Sequence, residues 1–201
     1  MTVVNMRANE QHAPMTADDL ERLPDDGRRY ELVDGRLDVS PAPVSVHSLV
    51  ESRLSAYLGF EVAPDDCVVM QGAGINLNAD RTHHRIPDVV VIEAADFEKP
   101  YLTRPPLLAI EVVSPESILR DHHTKRREYA KFGINAYWIV TPGDEKPAIV
   151  ELRLADGEYR EVQQVLGEDT FATEFPFPVK IVPQWLLASG PWRDRIGGEG
   201  D

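Results

Sequence analysis

Two stretches decide how this chain reads: Ile86-Pro87-Asp88-Val89-Val90-Val91-Ile92 and Leu107-Leu108-Ala109-Ile110-Glu111-Val112-Val113. Both are aliphatic on both faces rather than alternating. That pattern marks central strands covered on either side. Each run nevertheless holds a carboxylate. Asp88 precedes four aliphatic residues, and Glu111 sits in mid-run. A lone ionised carboxylate in such a place is heavily penalised by desolvation. It has to protonate, pair with a cation or bind a metal. Two adjacent strands would bring both carboxylates to one cleft edge. Oxygen ligands of this kind suit Mg²⁺ or Mn²⁺ rather than zinc. Taken alone, Asp88 also reads as a polar strand-start residue behind a proline.

A helix follows the second run. The spacing fits Asp121 to Phe132, with Asp121 as cap and Gly133 as the stop. Lys125 lies four residues before Tyr129 and seven before Phe132, which puts it on the apolar, sheet-facing side. A lysine directed at a sheet that contains Glu111 is a natural partner for it. It could align or deprotonate a water, or neutralise charge on a phosphate. The plainer reading is an ion pair with Asp121, with the long stem of Lys125 reaching past Tyr129. Across Arg120–Lys131 the formal charge is +3 in an otherwise acidic chain. Arg120, Arg126 and Arg127 are therefore candidates for holding a phosphate backbone.

Upstream, Tyr30-Glu31-Leu32-Val33 and Arg36-Leu37-Asp38-Val39 flank Asp34-Gly35, a favoured two-residue hairpin turn. That register sets Glu31 opposite Asp38. Like charges so opposed are unfavourable unless solvent or a cation separates them. Glu31 is thus either a solvent-facing hairpin residue or one more oxygen near a cation. Thr16 to Asp19 fits a capping box that opens a short helix. Ser45 starts an amphipathic helix through Val46, Leu49, Val50, Leu54 and Leu58. His47, near its start, reads first as a packing or capping histidine. The pairs His83-His84 and His122-His123 lack zinc-site spacing and read as exposed. Further strands are expected at Val68–Met70, Gly74–Leu77, Ala136–Val140 and Val179–Val182. A second hairpin is expected around Ala155-Asp156-Gly157. No Walker loop, dinucleotide fingerprint or ordered Ser-His-Asp set occurs.

The chain has 201 residues, with 21 Lys and Arg against 34 Asp and Glu, a formal charge of −13. That balance excludes a protein that holds nucleic acid by bulk charge. No apolar run reaches the roughly 18 residues of a membrane span, so no membrane role is expected. With Cys67 as the single cysteine, no internal disulfide can form, and a reducing, cytoplasmic home is expected. The expected organisation is a flexible arm over residues 1–14, one domain over 15–188, and a flexible tail over 189–201. The expected fold class is α/β or α+β, a mixed sheet with helices.

The ordered set Ile86-Pro87-Asp88, Glu111-Val112-Val113 and Asp121-x-x-x-Lys125 resembles the PD-(D/E)XK nuclease superfamily. It is more closely similar to the Uma-two family. The opening hairpin Tyr30–Gly35, His47, Ser114-Pro115 and Tyr137-Trp138-Ile139-Val140 extend the likeness over roughly residues 16–187. The resemblance implies a restriction-endonuclease-like fold, with a four-stranded mixed central sheet flanked by helices and hairpin extensions at both ends. It implies a Mg²⁺- or Mn²⁺-dependent endonuclease acting on DNA phosphodiesters. Asp88 and Glu111 would be metal ligands, Lys125 the catalytic lysine, and Glu31 an additional acidic site residue. No organic cofactor is implied, and a homodimer is a common arrangement in the superfamily. Valine stands where the superfamily usually places its strand lysine, and Lys125 takes that place from the helix. An inactive nuclease-fold binding or regulatory protein is the alternative. A hydrolase of small phosphoesters is a third reading.

Overall fold

The structure is a computed structural model that describes residues 13–113, 118–143 and 146–198, with residues 118–122 described by backbone alone. In chain order the elements are α1 (Ala17–Leu20), β1 (Arg29–Val33), β2 (Arg36–Ser40), α2 (Ser45–Tyr57), β3 (Cys67–Gln71), β4 (Ile75–Asn76), β5 (His84–Arg85) and β6 (Val89–Glu93). They continue with β7 (Leu108–Val112), α3 (Ile118–Phe132), β8 (Ala136–Thr141), β9 (Ala148–Ala155), β10 (Glu158–Leu166), β11 (Phe171–Thr173), β12 (Val179–Ile181) and α4 (Trp192–Arg195). Short 3₁₀ turns cover Ala94–Asp96 and Pro183–Leu186, and a π turn over Leu58–Val62 prolongs α2.

The two apolar runs form β6 and β7, which pair antiparallel with Val89 opposite Ile110. They sit inside a sheet of order β10-β9-β8-β7-β6-β3. The β7–β8 pair is parallel and is joined through α3, a βαβ unit in a sheet whose other pairs are antiparallel. The expected four central strands are therefore six among the described residues. The second hairpin, β9–β10, is not an extension apart from the sheet but its continuation beyond β8.

Strand periodicity divides the core in two. Val89, Val91, Leu108, Ile110 and Val112 face one way, onto Val50 and Leu54 of α2 and onto Phe171, Ile181, Leu186 and Ile196. Val90, Ile92, Ala109, Tyr137 and Ile139 face the other way, onto Tyr129 and Ala130 of α3. Each buried aliphatic side chain here contributes about 1.5–3 kcal/mol. On α2 the expected stripe is narrower than its pattern, because Val46 and Leu49 are exposed while Val50 and Leu54 are buried.

A smaller sheet, β2-β1-β5-β4, lies beside the main one. The β1–β2 hairpin has the expected register, with Leu32 opposite Leu37 and Glu31 opposite Asp38. Its turn has positive φ at Asp34 (49°) and Gly35 (74°), the backbone of a type I′ hairpin. A Cβ on Gly35 would lie 2.3 Å from the Pro14 ring, so glycine is required there twice over. A third pairing, β11–β12, covers the α2 face.

Three expectations change. Helix α3 begins at Ile118, so Asp121 lies within its first turn and does not cap it. Residues from 189 on, expected as a flexible tail, include α4, and Ile196 is fully buried in the core. His84, expected at the surface, is buried and bonded through Nδ1 to Asn76 Oδ1 at 2.8 Å. The arm over residues 1–14 falls, except for its last two residues, outside the described residues, as do Ser114, Pro115 and residues 199–201. No described helix is long and apolar enough to cross a membrane.

Candidate active site

Asp88 stands immediately before β6. Continuing the Val89–Ile110 register puts it opposite Glu111, with both on the α3 face of the sheet. Asp88 is 1% exposed, yet every route to its charge is covered. Its Oδ2 accepts the Val112 amide at 2.6 Å, and its Oδ1 accepts a short hydrogen bond from Arg29 Nη1. His47 Nε2 lies 3.2 Å from the same Oδ1 and 3.7 Å from Glu51 Oε2. Burial alone would raise the Asp88 pKa. The His47 and Arg29 contacts outweigh it and hold the carboxyl below its ordinary value. The short contact with Asp88 in turn raises the pKa of His47.

Glu111 is buried on the same face. Lys125 Nζ donates to its Oε1 at 2.9 Å, and the Tyr129 hydroxyl donates to the same oxygen at 2.7 Å. Both donors come from the sheet-facing side of α3, where the i, i+4 spacing places them together. Burial pushes the Glu111 pKa up to about 7, and the nearby charges of Asp88 and Glu31 add to that rise against the pull of Lys125. The Lys125 pKa rises as well, with the opposite effect on charge. Burial disfavours its charge, but Glu111 and Glu31 overcome that and raise its pKa. It is a permanent cation at any physiological pH.

Glu31 joins from β1. It lies 3.5 Å from Lys125 Nζ, accepts the Ile86 amide at 2.8 Å, and accepts Arg85 Nη1 at 2.9 Å. Arg85 also lies 3.4 Å from Asp38. The two opposed hairpin carboxylates are therefore separated by a guanidinium. Arg85 holds both oxygens of Glu128 as well, at 2.8 and 3.1 Å. His83 Nε2 approaches Glu128 at 3.1 Å. A chain of charge thus runs from the hairpin through Arg85 and Glu31 to Lys125 and Glu111.

The four expected residues Asp88, Glu111, Lys125 and Glu31 are brought together. The basic helix is less available than expected. Arg126 donates to the Tyr159 carbonyl of β10, Arg127 is exposed, and the side chain of Arg120 lies outside the described residues. The reading of residues alone missed Arg29, Glu51, Arg85 and Glu128, and it gave His47 a packing role. Two signals were available. Arg29 is two residues from Glu31 on the same strand face, and Glu51 is one helical turn from His47.

Residues 17–187 match the Uma2 family, described as "Putative restriction endonuclease". The chain belongs to the Uma2 family. No curated protein matches it. Among solved structures, the Uma2 chain is similar to one from Anabaena variabilis ATCC 29413 described as a "putative nuclease belonging to DUF820". That match has a TM-score of 0.60 and 17% identity, and covers 81% of this chain and 90% of the other. Sharing at that level shows a common fold.

The donor set can be tested for a divalent cation. His47, Glu51 and Asp88 each offer one ligand atom, and these lie within 4.8 Å of one another. His47 Nε2 is a buried nitrogen without a well-directed hydrogen bond, although two carboxylates flank it. An orphaned donor atom beside two carboxylates fits a divalent ion. This grouping shares Asp88 with the expected Asp88–Glu111 pair and adds a nitrogen to it.

Proposed function

We propose that this Uma2 protein is a metal-dependent endonuclease that hydrolyses DNA phosphodiester bonds at the cleft edge where Asp88 meets Glu111. The observation that carries the reading is Lys125 Nζ, 2.9 Å from Glu111 and facing the strand end that holds Asp88. Glu111 and Glu31 hold the lysine on the sheet-facing side of α3, where a fixed cation can stabilise charge that develops on a phosphate.

Asp88 and Glu111, with His47 and Glu51 beside them, would hold Mg²⁺ or Mn²⁺. Such an ion, when bound, polarises the phosphate and acidifies water. Lys125, paired with Glu111 and Glu31, is placed to donate to a water or to a phosphoryl oxygen. Tyr129 and Glu31 fix the positions of Glu111 and Lys125.

One observation favours the inactive alternative. Each carboxylate already has a protein cation: Arg29 for Asp88, Lys125 for Glu111 and Arg85 for Glu31. A site satisfied in this way can bind without cutting. A cleavage assay on plasmid, linear duplex and single-stranded DNA separates the readings. It is run with Mg²⁺, Mn²⁺ or EDTA, with Asp88→Ala as control. The nuclease reading expects metal-dependent cleavage that Asp88→Ala abolishes. Equal residual cleavage by the wild type and Asp88→Ala would sink it.

A further inference from the structure

A cavity of about 420 Å³ opens beside the site. It lies in the roughly 300–1,000 Å³ range of pockets that take small planar ligands. Arg28, Arg29, Tyr30, His84 and Tyr101 are among its lining residues. The cavity is coupled to Asp88 at two points. Arg29 reaches from its wall to Asp88 Oδ1, and the amide of its lining residue Gly72 donates to the Asp88 carbonyl at 3.0 Å.

The chemistry of the walls is specific. His84 and Tyr101 meet edge to face, with ring centroids 4.6 Å apart. Burial pushes the His84 pKa down to about 4, so its ring is neutral at physiological pH. Gly74 is required at this wall. A Cβ there would lie 2.5 Å from His84 Cε1 and 2.8 Å from Tyr101 Cδ1. The rings with exposed surface in the lining are Tyr30 and Tyr101, and the buried His84 ring packs edge to face against Tyr101. Arg28 is exposed at the rim, and its side chain is 61% accessible. Exposed aromatic rings with a cation at the rim match a flat base attached to a phosphate, since rings stack on bases and arginines take the backbone.

We propose that this cavity is a nucleobase subsite that receives one unstacked base of a DNA strand whose backbone crosses the Asp88 edge. The assignment rests on the nuclease reading and deepens it. A base inside an intact duplex cannot enter without leaving its stack, so the preferred substrate is single-stranded or locally unpaired DNA. The base anchors the strand, and Arg28 holds an adjoining phosphate.

The test is a binding measurement on the full chain in EDTA, so that it does not depend on cleavage. The probe is a single-stranded oligodeoxynucleotide with 2-aminopurine placed at successive positions. A matched duplex is the comparison. The wild type is expected to bind the single strand more tightly and to change 2-aminopurine emission when the base is at one position. Leu20→Trp, which fills the cavity from α1, and Tyr101→Ala, which removes a stacking wall, are each expected to weaken single-strand binding about tenfold. Duplex binding should stay within about twofold. Arg28→Glu is an exposed change that carries little folding risk, and it is expected to weaken binding and reduce its salt dependence. Far-UV circular dichroism identifies a variant that has not folded, and the other two then decide. Unchanged single-strand affinity in the folded variants, or equal losses on single strand and duplex, overturns the subsite. That result leaves the nuclease reading intact, because the latter stands or falls on metal-dependent cleavage and Asp88→Ala.

Discussion

Replacing Arg85 by methionine removes the cation on which three carboxylates converge. Arg85 is 4% exposed. It holds Glu31 at 2.9 Å and both oxygens of Glu128 at 2.8 and 3.1 Å. Removing one partner of a buried ion pair costs about 3–5 kcal/mol. Here each orphan keeps some support. Glu31 retains the Ile86 amide and Lys125, and Glu128 retains His83. The lower part of that range applies, about 3–4 kcal/mol. At about 2–4 °C per kcal/mol for a chain of this size, Tm should fall by about 6–16 °C. The pH dependence supplies a sign. Burial raises the Glu128 pKa, but hydrogen bonds from His83 and Arg85 outweigh it and bring the group to about 2 from an ordinary 4.5. A carboxylate lowered in this way stabilises the fold above pH 4.5 and loses that contribution as pH falls towards 2. Without Arg85 the burial effect gains weight, ionisation becomes unfavourable, and mild acid relieves it. The gap between wild type and Arg85→Met should therefore narrow from pH 7 to pH 4.5. Calorimetry and urea unfolding at both values measure it, with Arg85→Lys expected to fall between the two. A Tm change under about 2 °C at pH 7, or a gap that does not vary with pH, would refute the argument.

Other outcomes follow from the same geometry. Lys125→Met should lower cleavage by about 10²–10⁴-fold while metal binding, followed by calorimetric titration, persists. For Glu111 the folded pKa is raised to about 7 from 4.5, so its contribution favours the fold at low pH and is lost as pH rises through 7. Mn²⁺ should then raise Tm more at pH 8 than at pH 5.5, and Glu111→Gln should remove most of that difference in a thermal-shift assay. His47→Ala should weaken Mn²⁺ binding measurably by calorimetry. Unchanged affinity would remove the histidine from the ligand set. Ile196→Ala should destabilise the fold by about 2–4 kcal/mol in urea, because the side chain is fully buried.

Much of the central architecture was legible because it depends on local pattern. Asp34-Gly35 and Asp156-Gly157 dictate their turns, and both turn pairs have positive φ. The unbroken aliphatic runs around Asp88 and Glu111 could only be central strands. Lys125 was legible from helical spacing to Tyr129. The remainder depends on contacts distant in sequence. Arg85 meets Glu31 from 54 residues away and Glu128 from 43, and no periodicity in the chain announces either pairing. The Glu31–Asp38 opposition left open either solvent or a cation between them, and gave no sign that a guanidinium from β5 supplied the cation. Arg29 carried no signal of its own in the sequence, although its strand face is shared with Glu31. The C-terminal segment misled for a different reason. Its glycines and charges outweigh a single Ile196, yet that residue is enough to dock it.

The site draws its groups from two sheets. Asp88, Glu111 and Lys125 belong to the large sheet and its helix, whereas Arg29, Glu31 and Arg85 belong to the small one. Within the small sheet, β4 is tied to the core by the buried Ile75, whereas the edge strand β2 is exposed throughout. Exposed edge hairpins open at lower free energy than the hydrophobic core. Hydrogen exchange should therefore find the amides of β1 and β2 opening before those of β6 and β7. A modest dose of denaturant would then separate the two halves of the constellation while the large sheet stays folded. For this protein, losing activity and losing the native core would be two successive transitions.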